Sequence, residues 1–101
     1  MVLILISMNT IRITVTGKVY KVGYLYFVKQ IADRYHISGN VRYKGNRQVV
    51  ILASGKEDRL EKFLTYCRLG CLGSKIQNVS VSELHPEYSS TGYPMKIIEK
   101  L

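Results

Sequence analysis

Apolar residues recur along this chain with two different periods, and the changes of period mark its elements. Ile11, Ile13 and Val15 alternate with Arg12, Thr14 and Thr16, the two-residue period of a half-buried strand. From Val22 to Tyr35 the period lengthens, with Tyr24, Phe27, Val28, Ile31 and Tyr35 at three- and four-residue spacing and Lys29, Asp33 and Arg34 on the polar side. That spacing predicts an amphipathic helix, ended by a turn at Ser38-Gly39. Two strand-like runs follow, Val41 to Lys44 and Val49 to Ala53, joined by Gly45-Asn46-Arg47, a hairpin signal. Ser54 and Glu57 have the spacing of a capping box. Leu60, Phe63, Leu64 and Cys67 then give the apolar stripe of a second helix, which Gly70 and Gly73 stop. Ile76 to Leu84 predicts a fourth strand, His85 to Gly92 a loop, and Met95 to Ile98 a short final strand. Pro94 suits an edge or a first-residue position there, since it cannot donate to a ladder.

Strand, helix, strand, strand, helix, strand is the split βαβ order, so both helices are expected on one face of an antiparallel sheet. At 101 residues the chain holds one small α+β domain, assigned to residues 10–101. Residues 1–9 form an apolar extension, too short for a bilayer span of about 20 apolar residues. This stretch also lacks the basic start and small-residue cleavage site of a signal peptide. It reads as an extra strand packed on the domain or on a neighbouring copy, a route to a homodimer, unless the natural start is Met8.

Composition narrows the function classes only a little. An apolar share of 47% excludes a disordered chain, and a net charge of +8 favours anionic partners while also serving solubility. Cys67 and Cys71 stand four apart, with neither His36 nor His85 near enough in sequence to complete a metal set. Reduced thiols in a cytoplasmic protein are expected, with no metal, no cofactor and no membrane association.

The candidate chemistry lies between the first strand and the first helix. Gly17 and Gly23 bracket a short turn, so backbone N–H groups can converge ahead of a helix, where unpaired donors and the helix dipole favour an anion. The expected anion-binding loop is Tyr20, Lys21, Val22, Gly23 and Tyr24, a cradle for a phosphate or a carboxylate. The run Gly17-x-Val19-x-x-Val22-Gly23-Tyr24 resembles the acylphosphatase signature: glycine, any residue, Val-Gln-Gly-Val, any residue, an aromatic, then arginine. Gly39-Asn40-Val41-Arg42-Tyr43 is similar to the family's second motif, Gly-aromatic-Val-Arg-Asn. Val49, Gly55, Leu60 to Leu64 and Gly70 keep the family's spacing, so the resemblance covers residues 10–98.

The resemblance implies a ferredoxin-like βαββαβ sandwich and a metal-free hydrolysis of mixed carboxylic–phosphoric anhydrides. In the family, loop amides and the arginine hold the acyl phosphate while the asparagine orients the attacking water. Here the arginine position is Leu25 and the asparagine position Tyr43, while Tyr20 and Lys21 replace the glutamine and the second loop glycine. Catalysis of this kind is electrostatics and positioning, and leucine supplies neither charge nor donor. We therefore expect an acylphosphatase-like domain impaired or inactive in hydrolysis, a pseudoenzyme that retains anion binding. The alternative is an active acylphosphatase with the Lys21 ammonium in place of the arginine.

A minor reading is a basic RNA-binding module, since Lys44 to Ile51 falls where a third-strand RNA-recognition motif would lie. Asn46, Gln48 and Ile51 stand where that motif needs stacking aromatics, so nucleic acid is not an expected partner. Neither histidine has a paired base or thiol at an instructive spacing, and Gly55-Lys56 lacks the rest of a P-loop.

Overall fold

Alternation along the first strand sends Ile11, Ile13 and Val15 to one side of the chain, and both helices settle over that side. In the computed structural model, which describes residues 8–84 and 93–98, the chain runs β1 (Met8–Lys18), α1 (Tyr24–Tyr35), β2 (Ser38–Lys44), β3 (Gln48–Lys56), α2 (Glu57–Leu69), β4 (Lys75–Glu83) and β5 (Lys96–Ile98). The five strands form one sheet in the order β4-β1-β3-β2-β5. This is the ferredoxin-like α+β arrangement that the element order predicts.

The sheet is mixed rather than wholly antiparallel. β1 pairs antiparallel with β3 and β4, and β2 with β3, but β5 runs parallel to β2. The reason is directional. β4 opposes β1, so a chain that reverses after β4 must run the same way as β1 and β2 when it reaches the far edge.

Register places Val15, Val49 and Tyr43 in one cross-strand row, and Ile13, Ile51 and Val41 in the next. These rows face the helices, and α1 closes them with Tyr24, Leu25, Val28, Ile31 and Ala32, α2 with Leu60, Phe63 and Cys67. Removing this apolar surface from water is the main stabilising term of the fold. Thr10 and Ser54, both buried, bond hydroxyl to hydroxyl at 2.7 Å, which offsets the cost of taking them out of water.

Several local expectations are corrected. The first helix begins at Tyr24 rather than Val22, and it ends at Tyr35, where His36 takes the left-handed cap conformation (φ 56°). Its amide bonds back toward the last turn, so Ser38 and Gly39 are already strand rather than turn. The capping box at Ser54 does not form: Ser54 belongs to β3, and Lys56 caps α2 without a side-chain bond. Met8 and Asn9, read as part of the extension, are in β1. Residues 1–7 and the loop at 85–92 lie outside the described residues, and with them the expected homodimer contact. No described helix is long and apolar enough to cross a membrane.

Gly17 sits where the β1–β4 register shifts, with φ 148°, and a Cβ there would overlap the carbonyl oxygen of Lys75. Gly17→Ala should therefore cost about 2–4 kcal/mol of stability, measured as a lowered denaturation midpoint. Burial pushes the Cys67 thiol up to about 12 from 9.0. The unfolded chain releases that proton first, so stability is whole below about pH 9 and drains as pH rises toward 12. At pH 8 an alkylating reagent should modify only half-buried Cys71 in the native protein and both thiols after denaturation.

Candidate functional site

Two left-handed residues shape the turn between β1 and α1. Lys21 has φ 56° and Gly23, the helix cap, has φ 82°. Glycine takes that conformation freely, whereas lysine is strained there by roughly 1–2 kcal/mol. The strain persists because the turn is held from several sides. The Gly17 amide bonds the carbonyl of Arg47 at 2.9 Å, tying the end of β1 to the β2–β3 hairpin. On the outer side the Cys71 thiol approaches the carbonyl of Val22 at 3.5 Å. Ahead of the turn Val19 is fully buried, and after it Tyr24 plunges into the core.

The peptide groups at the start of α1 have no intrahelical acceptor, and the positive end of the helix dipole adds to them. No side chain caps this terminus. One loop amide is already engaged: Lys21 N–H donates to the phenolic oxygen of Tyr43, at 3.0 Å. Tyr43 reaches it because its row in the sheet faces the helices, which points the half-buried ring toward the turn. The ring meets Tyr20 edge-on, with centroids 4.9 Å apart and planes at 61°. The Lys21 ammonium lies over Tyr20 instead, 5.3 Å from the ring centroid.

The expected site residues thus fall into two groups. Tyr20, Lys21 and Tyr43 are joined by direct contacts, with Val22 and Gly23 completing the turn. Tyr24 and Leu25 point elsewhere. Tyr24 is fully buried and donates its hydroxyl to the carbonyl of Cys67 at 2.7 Å, clamping α1 to the end of α2. Burial, and then the neighbouring Cys67 and Cys71, push its pKa well above the usual phenol value. Leu25 is 1% exposed and packs in the core. Its place on the chain is the first turn of α1, just past the loop.

Basic residues near the turn in sequence do not gather on it. Arg42 and Lys44 flank Tyr43 in β2, so alternation sends them to the sheet face away from the helices. Lys18 ends β1 opposite Lys75, exposed. Two partners went unforeseen in the sequence, the Cys71 thiol against Val22 and Tyr20 as a seat for the Lys21 ammonium. Adjacent aromatic and cationic residues are a local signal for the second, and nothing local signals the first. No three described His, Cys, Asp or Glu side chains group to hold a metal ion.

Comparison with known proteins bears on the fold and the family. The acylphosphatase family model matches residues 11–95. An acylphosphatase of Bacillus subtilis (strain 168) is 39% identical over 72 residues, which cover 71% of this chain and 79% of the relative. An acylphosphatase of Oceanobacillus iheyensis is 31% identical over 90 residues, covering 88% and 99%. The crystal structure of acylphosphatase from Bacillus subtilis superposes with a TM-score of 0.82 at 32% identity, covering 89% of this chain and 98% of that one.

Lys21 offers a direct test of how firmly the turn is held. Lys21→Gly removes the left-handed strain but loses the contact with Tyr20 and adds freedom to the unfolded chain. The balance should leave stability within about 1 kcal/mol of the parent, read from thermal midpoints that differ by no more than about 8 °C.

Proposed function

Since the chain belongs to the acylphosphatase family, we propose an acylphosphatase-like domain impaired in hydrolysing acyl phosphates that retains anion binding at the loop after β1. The observation that carries this reading is the position of Leu25. At 1% exposure it is core, so the place that bears arginine in the resembled signature holds a side chain with no charge and no donor.

Hydrolysis of a mixed carboxylic–phosphoric anhydride develops charge on phosphoryl oxygens and needs a water held in line. A bidentate guanidinium is among the stronger ways to meet that charge. Losing one comparable electrostatic contact lowers a rate by about 10²–10³. The second position, Tyr43, accepts the Lys21 amide proton, which ties its hydroxyl to the turn, and a phenol lacks the carbonyl-and-amide pair with which asparagine orients water. The peptide groups of the turn, by contrast, need no particular side chains, and they support the retained affinity for a phosphate or carboxylate.

The alternative, an active enzyme that uses Lys21, draws little from the geometry. Its ammonium is exposed and held over Tyr20. The free thiols Cys67 and Cys71 support a reducing, cytoplasmic setting.

Benzoyl phosphate hydrolysis by the purified protein, measured beside the Bacillus subtilis acylphosphatase, tests the reading. The expected rate is at least about a hundredfold lower, and Leu25→Arg combined with Tyr43→Asn should raise it about tenfold or more. A parent rate within about tenfold of the relative would sink the proposed impairment.

A further inference from the structure

The hydroxyl of Tyr43 takes up a main-chain donor of the turn, the amide of Lys21. It accepts the Lys21 amide proton at 3.0 Å, at the exposed rim of a turn that Lys21 and Gly23 bend through left-handed backbone. We propose that Tyr43 is an internal ligand of the anion loop, a latch that a small tetrahedral oxyanion must displace before it can bind. This inference rests on the proposed reading of the loop as an anion site and names how that site is controlled.

Three contacts make the latch. The first is the Lys21–Tyr43 hydrogen bond, the second the edge contact of Tyr43 with Tyr20, and the third the Lys21 ammonium over the Tyr20 ring. They link the same three residues, Tyr20, Lys21 and Tyr43. A phenol oxygen is neutral and accepts weakly, whereas a phosphate oxygen makes a charge-assisted bond to the same N–H, shorter and roughly twice as strong. The anion therefore wins the amide but must also unseat a half-buried aromatic ring, whose contacts with Tyr20 and the core oppose release. The loop is ready-shaped and closed, and its apparent affinity is reduced by the fraction of molecules in which Tyr43 is in place.

The latch also accounts for the parking of Lys21. A cation over Tyr20 lies beside the loop but clear of the amide that Tyr43 occupies. When Tyr43 leaves, Tyr20 loses its edge partner, and the ammonium is no longer confined to the ring face.

Titration of the full chain with inorganic phosphate, followed by the amide proton and nitrogen shifts of Lys21, tests the proposal. Tyr43→Phe keeps the ring and deletes the hydroxyl. Tyr43→Ala deletes both, and a cooperative melt would establish that it folds. Phosphate affinity should rise by up to about tenfold in Tyr43→Phe, the range set by losing one competing hydrogen bond. It should rise at least as far in Tyr43→Ala. Tight binding by the parent, unchanged in both variants, would overturn the latch and leave the anion-binding reading standing. Failure of all three proteins to bind would overturn the latch together with that reading. Rapid benzoyl phosphate turnover by the parent would strike only the proposed impairment.

Discussion

A peptide N–H can be given fully to one acceptor at a time, and the loop after β1 is governed by that constraint at Lys21. Its donor goes to Tyr43, and the rest of the site is arranged around that choice. The hydroxyl arrives there because β2 is registered on β3, and β3 on β1, so that Tyr43, Val49 and Val15 share a row. A slip of one residue in either pairing would turn Tyr43 to the opposite face of the sheet and bring Arg42 or Lys44 toward the helices. The site thus depends on strand register more than on the loop's own sequence. The buried Thr10–Ser54 pair and the apolar rows beside it hold that register.

Much of the architecture was legible in the chain because period and burial agree. Ile11, Ile13 and Val15 at a period of two, and Tyr24, Val28 and Ile31 at helical spacing, are the residues the core contains. The hairpin at Gly45-Asn46 was equally plain. The misreadings fall where two local signals compete and tertiary contacts decide. Ser54 carries a capping spacing, but its hydroxyl finds Thr10 across the sheet, and β3 extends past it. His36 carries no turn signal, yet it takes the left-handed cap that a glycine usually supplies.

At the site, the short turn between Gly17 and Gly23 was visible, and with it a lysine where the resembled motif has glycine. The side-chain directions were not. Leu25 and Tyr24 are neighbours of the turn in sequence and members of the core in space, because the first turn of α1 already faces the sheet. Tyr43 could be seen as a replacement for asparagine, but a phenol's extra length acquires meaning only once the strand aims it. No pattern read along one segment contains a contact made across 22 positions of the chain.

The left-handed bend at Lys21 is imposed by its surroundings, by a glycine bulge before it and a clamped tyrosine after it. A curve made in this way belongs to the main chain, and the core on either side of it sets its shape. Such a scaffold tolerates a change of side chain within the loop at a cost of the order borne at Lys21, roughly 1–2 kcal/mol, without giving up its contour.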